Sequence, residues 1–168
     1  MTDIESPLFK EELHYTDGTG TPRYNGNISS ISWKAGEEQT TRGYRFTYDG
    51  LDRMKMAEYG EGEQLASNPN RFNEEVTAYD KTGNILGIRR MGQTGAQEYG
   101  LVDNLALNYN GNQLTKVTDN AAGSAYGNGF EFKDGADRET EYTYDENRNL
   151  TQNVNLNIKE IKYNFLNL

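Results

Sequence analysis

The octapeptide Tyr79–Leu86, YDKTGNIL, constrains the fold of this chain more than any other stretch. Tyr79 closes one alternating segment, Asp80 to Asn84 turn the chain, and Ile85-Leu86 open the next. Asp80 is suited to accept hydrogen bonds from backbone amides two or three residues ahead. Gly83 or Asn84 can take the left-handed conformation that most residues avoid. That combination predicts a four- or five-residue hairpin loop with its left-handed residue near the end. Tyr79 and Ile85-Leu86 then lie at the base of the loop on adjacent antiparallel strands, where cross-strand side-chain pairs stabilise a sheet.

Variants of this unit recur. Tyr24-Asn25-Gly26-Asn27-Ile28 and Tyr109-Asn110-Gly111-Asn112-Gln113-Leu114 are shortened forms, the second carrying a tight Asn-Gly turn. Tyr48-Asp49-Gly50-Leu51-Asp52-Arg53-Met54 has Asp52 in the place of Gly83, and Tyr144-Asp145-Glu146-Asn147-Arg148-Asn149-Leu150 has Arg148 there. Tyr163 begins a sixth copy that stops at Leu168. Successive tyrosines lie 24, 31, 30, 35 and 19 residues apart, a range that points to stacked supersecondary units.

Alternation between the turns predicts strands. Ile31 and Trp33 share one face of a strand over 28–34, and Tyr44, Phe46 and Tyr48 share a face of the next, which returns over 54–59. Further strands are expected over 76–79, 85–90, 101–109, 114–118, 142–144, 150–156 and 158–165, with Phe130 and Phe132 aligned before the Asp134-Gly135 turn. Residues 60–75 read as a helical turn or insertion loop, 92–100 as a flexible connector, and 119–129 as a long loop. The expectation is an all-β chain of antiparallel serial β-hairpins, forming an extended or curled sheet, a partial shell or an open barrel. Residues 1–23 read as an irregular N-terminal segment and 24–168 as the repeat region.

The motif residues carry a resemblance. YDGLDR at 48–53, YDKTGNIL at 79–86, YNGNQL at 109–114 and YTYDENRNL at 142–150 are similar to the YD-repeat, or Rhs-repeat, proteins. The closing IKYNFLNL looks like a segment common in bacterial members, particularly those of Bacteroidetes. The likeness spans residues 24–168. It implies that the chain is a fragment of a large secreted or cell-surface, wall-associated protein whose repeats wind into a β-sheet shell. In some bacterial relatives such a shell encloses a toxic C-terminal domain, and in animal relatives it belongs to adhesion proteins. The self-cleaving aspartates of that family have no match here, so the resemblance implies a non-enzymatic scaffold. Its partners would be other segments of the parent protein, and a cell-surface glycan or protein.

Composition narrows the alternatives. Twelve Tyr, six Phe and Trp33 offset a hydrophobic fraction of only 34%, because a Tyr ring can be buried while its hydroxyl stays hydrated. The net charge of −9 argues against nucleic-acid partners, which need a basic surface. No apolar run approaches the roughly 20 residues of a membrane helix, so membrane insertion by this stretch is not expected. Cysteine is absent, and His14 is the sole histidine, with no catalytic partner apparent. Acidic clusters such as Glu74-Glu75 and Asp137, Glu139 and Glu141 read as solvated faces. Asp49, Asp80 and Asp145 occur one to a turn, too few for a calcium loop, so no metal and no cofactor are expected.

Tyr24, Tyr48, Tyr79, Tyr109 and Tyr144 therefore read first as a stacked aromatic row along the sheet. The alternative is a carbohydrate-binding module in which these rings, or Trp33, stack on sugars. Unpaired strands at both ends of the array predict self-association through sheet edges.

Overall fold

In the computed structural model, which describes residues 3–6, 8–127 and 129–166, the chain is all-β with no helix. The last two residues of the sixth motif copy, Asn167 and Leu168, lie outside the described residues. Nine strands form one antiparallel sheet in sequence order: β1 (Asp3–Ser6), β2 (Phe9–His14), β3 (Ser30–Ala35), β4 (Arg42–Tyr48), β5 (Met54–Glu61), β6 (Glu74–Tyr79), β7 (Ile85–Gln93), β8 (Tyr99–Asn110) and β9 (Gln113–Asp119). Strands β10 (Tyr142–Tyr144) and β11 (Leu150–Asn153) make a second, two-stranded sheet. The large sheet does not close into a barrel.

The expectation of serial hairpins is met, with four local corrections. The N-terminal segment is not irregular throughout: β1 and β2 pair with each other, and β2 pairs along its length with β3. The alternation of Phe9, Glu11 and Leu13 was obscured by acidic residues, which an exposed strand face tolerates. The connector expected over 92–100 is shorter, 94–98, because β7 runs to Gln93 and β8 begins at Tyr99, with the loop closed by Thr94 N–H to Glu98 O at 2.9 Å. Phe130 and Phe132 lie in irregular backbone. Residues 158–165 form no strand beyond the single bridge Asn153↔Ile158.

The two faces of the large sheet differ in kind. Cross-strand partners share a face. Glu12, Ser32, Gly43 and Gly60 line up across β2 to β5, so this row of that face is polar and ends on two bare glycines. One apolar residue crosses it. Leu65, from the 62–72 insertion, is 1% exposed and lies on the paired Gly43 and Gly60. A Cβ on Gly43 would come within 2.8 Å of Leu65 Cδ1, and one on Gly60 within 2.6 Å of the Leu65 carbonyl carbon. The two glycines make a flat seat that a larger residue would fill.

The opposite face carries the aromatic side chains. Trp33, Tyr44, Tyr59, Phe72 and Tyr99 form a chain of ring contacts, with centroids 5.6, 5.6, 5.1 and 5.4 Å apart in turn. Three of the four contacts are edge-on, the geometry favoured by ring quadrupoles. Ala57, Tyr59, Val76, Val102 and Val117 are among the buried apolar residues.

Where the ladder is interrupted, polar side chains complete it. Between β5 and β6, only Met56↔Glu75 and Ala57↔Glu74 pair, and Asn73 Oδ1 accepts the Tyr59 N–H at 2.8 Å. On the far side of β9, the fully buried Glu141 gives its own N–H to Thr115 O and accepts the Val117 N–H at 3.0 Å. Its Oε2 also accepts from Asn155 Nδ2 at 2.8 Å. These contacts dock the small sheet beside the large one.

Candidate functional site: the laced turn ridge

The Asp-containing turns share one geometry. Asp49, Asp80 and Asp145 each give their backbone N–H to the carbonyl four residues on, at 2.8, 2.9 and 2.9 Å. In each, Oδ1 accepts the N–H of that same residue: Arg53 at 3.0 Å, Asn84 at 2.9 Å and Asn149 at 2.8 Å. Oδ2 then accepts from the side chain of the same residue, at 2.7, 2.8 and 2.9 Å. The left-handed residue falls three after the Asp: Asp52 at φ 60°, Gly83 at 95° and Arg148 at 67°. The short fourth copy differs. Asn110 and Gln113 pair, so Gly111 and Asn112, rather than Asn110 and Gly111, are the central residues.

These bonds set the ionisation of the turn carboxylates. Burial pushes Asp80 up, but hydrogen bonds from the side chains of Asn84 and Thr82 and from their backbone amides outweigh it and hold the group at about 2. The Arg53 guanidinium holds Asp49 below the usual carboxylate range, and the Asn149 side chain does the same for Asp145.

The motif tyrosines do not form the stacked row expected from their spacing. The ring-to-ring row consists instead of Trp33, Tyr44, Tyr59, Phe72 and Tyr99. The motif rings reach back to the preceding hairpin. Tyr48 Oη donates to Ile28 O at 2.7 Å, Tyr79 to Met54 O at 2.6 Å, Tyr144 to Leu114 O at 3.0 Å and Tyr163 to Leu150 O at 3.0 Å. Every acceptor is the apolar residue that follows the previous turn. Arg23 lies over the Tyr48 ring at 4.9 Å and Arg53 over the Tyr79 ring at 4.3 Å. Burial pushes the Tyr48, Tyr79, Tyr109 and Tyr144 phenols up. Tyr24 stands apart: it closes no strand, lying in irregular backbone between β2 and β3, and it is 86% exposed.

Neighbouring turns are also bonded to one another. Asn27 Nδ2 reaches Asp52 O at 3.4 Å, Arg53 Nη1 reaches Asp80 O at 3.3 Å, and Asn84 Nδ2 reaches Gly111 O at 3.3 Å and Asn112 Oδ1 at 3.1 Å. The donor is always the last residue of its turn, just before an apolar one: Ile28, Met54 or Ile85. Sequence reasoning placed the turns but missed this linkage. The recurrence of Asn or Arg at that position was its only signal.

Trp33 closes one end of the aromatic row, with Tyr44 against one side of its ring at 5.6 Å. Ser30, Ser32 and Lys34 alternate with it on β3, so its ring lies on the face opposite theirs. Among the described residues, no cluster of His, Asp and Glu is arranged to hold a metal ion. No protein-family model, curated protein or solved structure matches the chain. Fold and site thus define a class, an open antiparallel meander whose hairpins are cross-bonded along one ridge.

Proposed function

We propose that this chain is a non-enzymatic scaffold segment, a stretch of YD/Rhs-type β-wall in a large secreted or cell-surface protein. The observation carrying this reading is the lacing: the motif Tyr hydroxyl binds the preceding hairpin's backbone at Tyr48, Tyr79, Tyr144 and Tyr163. A residue that ties each unit to the one before it lets an array grow by adding further units. Repeat arrays have this nearest-neighbour logic. The motif aspartates support the same reading, since their oxygens are taken up by turn amides and side chains rather than presented to a substrate.

The partners of such a segment are other parts of the parent wall and whatever the wall faces. The carbohydrate-binding alternative needs motif rings that offer an open platform. Guanidinium groups lie over Tyr48 and Tyr79, which favours the scaffold.

The test has two arms. Urea unfolding followed by fluorescence and by circular dichroism should give one coincident transition, because the lacing couples the hairpins. Incubation with a polysaccharide, ester and peptide panel should give no turnover. Hydrolysis of any member would sink the non-enzymatic reading. Saturable binding on a glycan array, lost in a Tyr48→Ala or Tyr79→Ala variant that still folds, would replace it with the carbohydrate-binding module.

A further inference from the structure

The polar face of the sheet holds a groove of about 450 Å³ between the loop at Gly18-Thr19 and the insertion at Glu63 to Leu65. Strands β2 and β3 form its floor, and register decides what that floor presents. Lys10 sits directly opposite Lys34, Glu12 opposite Ser32, and His14 opposite Ser30. Two features of this floor are unfavourable for the chain alone. Like charges directly opposed across strands repel. The Glu12 carboxylate binds Lys10 at 2.9 Å, but no carboxylate lies within ion-pair distance of Lys34 among the described residues. Further in, Ser30 is 1% exposed and its Oγ has no hydrogen-bond partner, and the same holds for the buried Thr19 Oγ1. Polar atoms left in that state cost stability unless something completes them.

We propose that this groove binds a small acidic polyol, a carboxylate carried on a hydroxylated ring of about monosaccharide size. The carboxylate lies across the Lys10–Lys34 pair, and ring hydroxyls meet Ser30 and Thr19, with Glu12 and His14 as further polar partners. The volume falls within the usual range of small-ligand sites. Charge separates this ligand from a neutral sugar. Trp33 borders the groove, but alternation along β3 turns its ring to the other face, against Tyr44 at 5.6 Å, so the lysines rather than a ring platform carry recognition here. A neutral ring would exchange hydrogen bonds with water for similar bonds with protein, at little net gain. Charge-assisted bonds to the lysines are stronger and supply the surplus. This inference is independent of the scaffold reading, since it concerns the opposite face from the aromatic row and none of the motif residues.

The experiment is a titration of the whole chain by heteronuclear NMR and calorimetry with D-glucuronate, D-glucose and acetate at low salt. Glucuronate is expected to saturate, shifting amides of β2 and β3, with glucose and acetate each weaker by about tenfold or more. Lys34→Met should weaken glucuronate by about tenfold while leaving glucose unchanged, and Ser30→Ala should weaken it less. Lys34 is partly exposed, so its variant is expected to fold; an unchanged amide spectrum away from β3 checks this. No saturable glucuronate binding, or glucose binding as tightly, overturns the proposal. Acetate matching glucuronate overturns the part assigned to the ring hydroxyls.

Discussion

At the scale of single residues, the motif turn is a carboxylate enclosed by donors. Gly83 takes φ 95° with open space around its Cα, so the obstacle to a side chain there is conformational rather than steric. Asp52 and Arg148 hold the equivalent place at φ 60° and 67°. Asp and Asn tolerate that region, whereas β-branched residues do not. Gly83→Val is therefore expected to lower stability by roughly 1–3 kcal/mol, and Gly83→Asn by much less. Thermal melting of the two variants decides it, and an unchanged melt for the valine variant would contradict the assignment. A second consequence concerns acid. Asp80 lies at about 2 in the folded chain, against about 3.9 for an unfolded Asp, so the unfolded state binds the proton more readily. Its contribution is fully present above the unfolded value and is lost as pH falls through about 2, with Asp49 and Asp145 acting in the same direction. Melting temperature should fall steadily from pH 5 to pH 2, and less steeply in Asp80→Ala. Equal slopes would show that the turn carboxylate is not a source of the loss.

At the scale of elements, the insertion between β5 and β6 has the largest consequence. It read as a loop or helical turn because its polar composition hides the one side chain that matters. Leu65 is held at φ 47° with its carbonyl against Gly60 and its methyl groups against Gly43. Gly60→Ala must lift the loop, at a cost of roughly 1–3 kcal/mol. Leu65→Ala should cost about 2–5 kcal/mol through the cavity it leaves. If the two act on one contact, the double variant will fall well short of their sum. Additive losses in urea unfolding would show that Gly60 and Leu65 are independent. The lacing of hairpins belongs to this scale too. It joins residues 20 or more apart in three of its four Tyr–carbonyl bonds, so no local pattern could reveal it.

For the whole molecule, the two ends of the large sheet are unlike. The expectation of edges open at both ends is corrected at β9. Thr115 O, Val117 N–H and Asp119 N–H of that strand are taken by Glu141 and Asp134. Among the described residues, strand β1 has a partner only on its β2 side, and Ile4 is 53% exposed. Self-association is therefore expected to stop at a head-to-head dimer through β1, weakened by the repulsion of Asp3 and Glu5. Sedimentation velocity should show monomer and dimer, with Ile4→Lys shifting the balance to monomer. A ladder of higher oligomers would mean that a second edge is open. The exposed surface of 10984 Å² also exceeds the ~8,400 Å² that size scaling gives for a compact 19 kDa monomer. Phe130 and Phe165, more than 90% exposed, contribute to that excess. An area of this kind is what the proposed wall segment would offer to other parts of its parent.

The sequence by itself determined the hairpins from 44 to 119, because a turn with one aspartate and one left-handed residue is a local object. Its bonds span four residues, and the alternation on either side follows from the pleat. It also determined that this sheet would rely on tyrosine rather than aliphatic bulk. Which tyrosines touch each other was decided only by tertiary structure. Tyr44, Tyr59 and Tyr99 meet through cross-strand register and through Phe72, which an insertion carries in. Tyr48, Tyr79, Tyr144 and Tyr163 instead turn their hydroxyls to backbone carbonyls of the neighbouring hairpin. The same limit explains the N-terminal hairpin and the groove above it. Lys10 and Lys34 are ordinary surface lysines in sequence, and only the pairing of β2 with β3 places them face to face.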